Sequence, residues 1–236
     1  MRKKDLYHEA AHNPLGGKFI RDLVFGANDG VVTMIGFLTG ISGAISETPT
    51  ILISGIIVII SGAVSMALGN YQAVKSQKEF YKSQREIEKE EIEEEPEEEV
   101  EEVRNIYEEM GFSKGEVDLL TKKVTSDKRL WAEVMLRDEL GLLPETYIDP
   151  LKSGLWIGGA YILAGLPPIL PYFFSENVRV SLFWSVLVSL LILFLTGTVR
   201  ARLTRRKPIL VGFEVVLIGS VAALIGFLVG QVVPSA

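Results

Sequence analysis

The feature that most constrains this chain is an apolar run that carries a carboxylate. Leu23 to Ile45, LVFGANDGVVTMIGFLTGISGAI, is long enough to cross a bilayer, for which about 20 apolar residues suffice. Asp29 lies inside it. A carboxylate at the centre of such a helix costs roughly 2.5–3.5 kcal/mol on insertion scales, and chains that keep one there use it, most often on an ion path. Gly26/Gly30 and Gly36/Gly40 form two small-xxx-small pairs that admit another helix at close range. Asp29 is therefore expected at a helix–helix seam. The alternative is an interfacial side chain that snorkels to water, since Asp29 stands only about 9 Å of helix past Leu23.

Charge divides the chain. Val74 to Lys152 holds 23 Asp/Glu against 13 Lys/Arg, and the remainder holds 7 against 11. A basic-flanked membrane part thus surrounds an acidic insert, which argues against nucleic acid and for cations as partners. The absence of cysteine excludes disulfides and thiolate metal sites. No cleaved leader is expected, because the first apolar run follows about 20 mostly polar residues and is longer than a signal h-region.

Four more apolar runs give five spans in all: Thr50 to about Ala73, Gly154 to Phe174, Val178 to Val199 and Ile209 to Val233. Residues 1–22 read as a polar, basic helix broken near Asn13-Pro14 and Gly16-Gly17. No turn signal follows the second span, so that helix is expected to run on until Pro96. Further helices follow over Glu97 to Glu109, after a Ser113/Glu116 capping box, and from Ser126 or Asp127 through Trp131 to Leu140, stopped at Gly141. Pro167, Pro168 and Pro171 are expected to kink the third span. The fold class is all-α: a cytosolic segment 1–22, transmembrane helices 1–2 over 23–73, a small helical acidic domain over 74–152, and transmembrane helices 3–5 over 153–236. The basic residues of the N-terminal segment and of RARLTRRK (Arg200 to Lys207) put those parts and the acidic domain in the cytosol, with the C-terminus opposite.

Glu86 to Glu102 contains 12 glutamates in 17 residues. Most such runs are solvated helix faces. Here Glu88/Glu91 before Pro96 and Glu99/Glu102 after it repeat a spacing of three, which shares a helix face. A hairpin at Pro96 would gather them into hard oxygen ligands for a divalent cation. Met135 and Glu139, in WAEVMLRDELG, are four apart; the thioether is either a softer ligand or core filler. Met66 in the second span has the same two readings, and Glu214 is a second carboxylate in a span. His8-Glu9-Ala10-Ala11-His12 matches H-E-x-x-H, the zinc-protease helix motif, but without a third ligand or an upstream domain; an accessory juxtamembrane metal contact and chance are the other readings.

RDLVFGANDGVVTMIGFLTGISGA, SGAVSMALGNYQAVKSQKEFY, the acidic insert, WAEVMLRDELG, LPPILPYFF and KPILVGFE, in that order, resemble the vacuolar iron transporter family. The resemblance implies five membrane helices per subunit, a homodimer, and a second helix extending into a cytosolic metal-binding domain. It implies export of Fe2+ and Mn2+ from the cytosol in exchange for protons, without any enzymatic cofactor. It implies pore roles for Asp29 and Met66, and metal binding by Glu88, Glu91, Glu99, Glu102, Met135 and Glu139. The chain departs from the family pattern at Val58, where better-known members carry glutamate, at Lys18, where some members carry glutamate, and at Leu136, where a second methionine stands next to the domain ligand in the family pattern. Asn70 and Glu214 are the groups available to replace a missing pore ligand or to couple protons. The competing readings are the same fold carrying another divalent cation, and a membrane-tethered metal buffer or sensor.

Overall fold

The computed structural model describes residues 14–142 and 149–232. His8 and His12, with the H-E-x-x-H motif, lie outside the described residues. Every regular element among the described residues is helical. They are α1 (Pro14–Ala44), α2 (Thr48–Glu94), α3 (Pro96–Glu109), α4 (Lys114–Thr125), α5 (Lys128–Val134) running into a π-turn (Met135–Glu139), α6 (Pro150–Gly165), a 3-10 turn (Pro167–Ile169), α7 (Pro171–Phe174), α8 (Val178–Leu203) and α9 (Pro208–Val232). Five stretches are long and apolar enough to cross a membrane: Phe19–Ala44, Thr48–Glu94, Pro150–Phe174, Val178–Arg202 and Pro208–Val232.

Local chemistry sets most boundaries. Pro14, Pro96, Pro150 and Pro208 each open a helix at a position where the missing N–H costs nothing. Asp127 caps α5 by accepting from the Arg129 and Leu130 amides, and Asn177 caps α8 by accepting from Arg179 and Val180. At α4 the Glu116 carboxylate accepts from the Ser113 amide at 2.8 Å and its hydroxyl at 2.6 Å. Gly111 and Gly141 adopt positive φ where α3 and the π-turn end.

Three expectations need correction. Gly16-Gly17 does not break the first helix; α1 runs through both, because the long segment that follows outweighs a propensity loss of about 1 kcal/mol per glycine. The prolines of the third span do more than kink it. They end α6 at Gly165 and leave a 3-10 turn and a single short helix, since three prolines within five residues remove three backbone donors. The Trp131 helix is not uniform either: its last turn is π, with the Leu140 amide bonded to the Met135 carbonyl at 3.2 Å.

The chain forms two compact units, one holding the chain up to Gln72 and from Pro150 onward, the other Ala73–Asp149. In the first, α1 is the central helix. A Cβ on Gly26 or Gly30 would run into the backbone of Ile157 or Tyr161 on α6. Further along, a Cβ on Gly36 would stand 3.5 Å from the Ala222 carbonyl and one on Gly40 3.0 Å from that of Gly226, both on α9. Both glycine pairs are thus used within one chain, on two different neighbours. On the other face of α6, Gly154 and Gly158 receive Ala67 and Ala63 of α2. An apolar core of Met34, Leu38, Ile51, Ile59, Ile169 and Tyr172 fills the end where α1 and α2 join. The second unit has its own core of Ile92, Val103, Tyr107, Val117, Val124, Trp131 and Met135.

Candidate functional site

In the membrane unit, Asp29 is half-buried on α1. Its neighbour Asn28 accepts a hydrogen bond from the Thr196 hydroxyl of α8 at 2.8 Å. The glycines on either side of Asp29 bring α6 close, and that contact delivers Tyr161. The Tyr161 side chain is 2% exposed, shares a hydrogen bond with Thr33, and stands within electrostatic reach of Asp29. Its hydroxyl lies against Gly62 of α2. Met66, half-buried, is one turn beyond Gly62 on the same helix. Asp29 and Met66 therefore belong to two helices that meet through Tyr161. Among the described residues no cation pairs with Asp29.

Asn70 is engaged elsewhere. Its amide donates to Ser153 Oγ at 2.7 Å, and Ser153 donates to Asp22 Oδ2 at 2.5 Å. Asp22 is 2% exposed and forms an ion pair with Arg21 at 3.0 Å. This chain of polar contacts ties α1, α2 and α6 together. Glu214 is about half exposed and faces Arg206 at 3.7 Å and Arg200 at 4.0 Å, an arrangement that holds its carboxylate at the basic end of α8 and α9. Val58 packs against the apolar core around Met34 and Tyr172.

In the acidic unit, the break at Glu95-Pro96 folds α3 back on α2. Glu88 and Glu99 become buried, at 2% and 6% exposure, and share a hydrogen bond. Glu88 Oε1 and Glu99 Oε2 have no partner. Burial, then the charges of Glu99 and Glu139, push the Glu88 carboxyl up to about 8. Burial, then the Glu102 charge, pushes Glu99 up to about 7 against the lowering effect of its bond to Glu88. Burial first, and then neighbouring glutamates, also raise Glu102 and Glu139. Glu91 acts on all four as a charged neighbour. The structure thus brings the five glutamates into one electrostatic cluster. Among the described residues no three carboxylate or imidazole groups close to metal-coordinating geometry as they stand. Met135 is fully buried in the hydrophobic core, at the start of the π-turn that ends with Glu139. Such turns recur at functional sites.

Two groups were not singled out in the sequence. Asp22 reads as part of the polar N-terminal segment, one residue before the apolar run. Tyr161 reads as one more aromatic in a span. Only the fold shows that both are buried against α1's neighbours.

Against known proteins, a sequence model of the VIT family matches residues 20–231. The chain is 32% identical over 228 residues to vacuolar iron transporter 1 of Arabidopsis thaliana, covering 97% of this chain and 91% of that protein. It is 32% identical over 219 residues to vacuolar iron transporter 2 of Oryza sativa subsp. japonica, covering 93% and 89%. Protein CCC1 of Saccharomyces cerevisiae is 32% identical over 118 residues, 48% of this chain and 37% of the yeast protein.

Proposed function

Since the chain belongs to the VIT family, we propose that it exports Fe2+, Mn2+ or both from the cytosol, with protons moving the other way. It is a multi-pass membrane protein of a metal-ion transporter family, not an enzyme. The observation that carries the finer reading is Asp29, a carboxylate in an apolar span at a glycine-packed seam, without a cationic partner among the described residues. A permeating divalent cation supplies the missing charge. Met66 adds a thioether, which biases the path away from Mg2+ and Ca2+ and toward transition metals. Glu88, Glu91, Glu99, Glu102 and Glu139, with Met135 beside them, collect metal in the acidic unit before it enters the membrane. The N-terminal segment and the acidic unit face the cytosol, the C-terminus the other compartment, and the working form is a homodimer.

The buried Glu88–Glu99 pair also suits a membrane-tethered buffer or sensor that binds metal and moves none. One experiment separates the two. Purified protein in sealed proteoliposomes is given a panel of divalent cations while internal pH is recorded. Uptake of Fe2+ and Mn2+ with an opposed proton flux is expected, and Asp29→Asn should abolish it while the protein stays monodisperse. Binding without uptake would leave the buffer reading. Full flux in the Asp29→Asn protein would remove Asp29 from the path.

A further inference from the structure

A buried phenol in mid-span needs a reason, because hydrocarbon offers its hydroxyl no partner. Tyr161 is wedged at both ends. At its base, a Cβ on Gly30 of α1 would meet the Tyr161 carbonyl carbon at 3.0 Å and its Cα at 3.1 Å. At its tip, the hydroxyl fills the place where a Gly62 Cβ would stand on α2, with ring atoms Cζ and Cε1 only 2.7 and 3.0 Å from that point. Both neighbours are glycine, so neither helix has a side chain that can give way. The ring is flat and rigid along its length, and the hydroxyl at its tip pairs with Thr33, one turn past Asp29. Met66 stands one turn past Gly62.

We propose that Tyr161 is a positioning residue of the membrane path: its backbone is seated on Gly30 of α1 and its ring is stopped by Gly62 of α2, so that the residue fixes the separation between the helix that carries Asp29 and the helix that carries Met66. The inference rests on the reading of Asp29 and Met66 as the groups the metal meets in the membrane. Selectivity among divalent cations depends on the size and rigidity of the site, so the length of this spacer sets which ion fits. Tyr161→Phe removes the tip and lets α2 close on α6 at this point, and through α6 on α1. Gly62→Ala pushes the tip back and forces the helices apart. The two changes act in opposite directions on one contact, and each offsets the other.

The test uses the full-length protein in proteoliposomes, with initial rates for Mn2+ and for the smaller Co2+. In Tyr161→Phe the ratio of kcat/KM for Mn2+ over Co2+ should fall about three- to tenfold, with the total amount of folded protein unchanged. Gly62→Ala should lose flux for both ions, and the Gly62→Ala/Tyr161→Phe double variant should regain it. A ratio that stays at the wild-type value in Tyr161→Phe overturns the proposal, as does a folded double variant no more active than Gly62→Ala. If Gly62→Ala does not fold, the Tyr161→Phe ratio alone decides. Asp29→Asn, run alongside, separates the two levels. Wild-type flux there defeats the path itself and the spacer with it; loss of flux there, with an unchanged Tyr161→Phe ratio, defeats the spacer alone.

Discussion

Glu88 and Glu99 share a hydrogen bond across the Pro96 break, and each keeps one buried carboxylate oxygen without a partner. Two carboxylates this close do not both ionise at low cost, so the pair holds a proton well into the neutral range and titrates as a unit. The same orphan oxygens suit a divalent cation, which satisfies them and removes the repulsion at once. Metal and proton therefore compete for one place, at pH values a cell visits.

The pH dependence follows from the raised values, about 8 for Glu88 and about 7 for Glu99. Affinity for Mn2+ should rise steadily from about pH 6 to pH 8 and level off above, with about one proton released per metal near pH 7. Calorimetry of the full chain in detergent, run in buffers of different ionisation heat, reads both quantities. Stability of the metal-free protein has the opposite slope. A folded-state carboxyl raised above its unfolded value of 4.5 binds its proton more tightly when folded, so that contribution is full at low pH and is lost as pH rises through 7 and 8. Glu88→Gln/Glu99→Gln should flatten both profiles. Affinity independent of pH across this range, with no proton released, would contradict the shared-proton pair.

The α1–α9 seam makes a second prediction from two glycines on facing helices. A Cβ on Gly226 would collide with the Gly36 carbonyl oxygen and stand 2.7 Å from the Thr39 hydroxyl, and the carbonyl belongs to a helix backbone that cannot yield. A Cβ on Gly36 meets the Ala222 carbonyl at 3.5 Å, an ordinary contact. Gly36→Ala should be neutral or raise stability by up to about 1 kcal/mol through helix propensity. Gly226→Ala should lower the melting temperature sharply. Both are read by size-exclusion chromatography after heating in detergent. Equal effects would mean that the two helices do not pack in this register.

How far these features were legible in the sequence differs by residue. Length and hydropathy suffice for the five spans, and the Ser113/Glu116 box and Asp127 cap announce their helices because capping is a local interaction. The Glu88 to Glu102 spacing was legible because a helix places residues three apart on one face and Pro96 breaks it. What local pattern does not carry is which face is buried. Met135 and Glu139 share a turn, yet Met135 enters the core, and nothing in WAEVMLRDELG announces a π-turn. The glycine pairs of α1 signal close approach, but two different helices answer them. Tyr161 and Asp22 matter through partners far away in sequence: Gly62 and Thr33 for Tyr161, and Ser153 for Asp22.

Asn70 tests the difference between a pore ligand and a structural group. Its amide is committed to Ser153, and Ser153 to the buried Asp22, so the three form a polar tie among α2, α6 and α1. Removing a partner from a buried polar group costs about 1–3 kcal/mol, more when the group is charged. Ser153→Ala breaks both links and should lower thermal stability more than Asn70→Ala, which leaves the Ser153–Asp22 bond in place. If the tie is structural, either change should reduce flux in step with its loss of thermal stability, Ser153→Ala more than Asn70→Ala. A ligand would behave otherwise: Asn70→Ala would alter the Fe2+, Mn2+ and Co2+ rates unequally while the melting temperature stayed put. Flux ratios measured beside melting curves for the two variants decide which role Asn70 has.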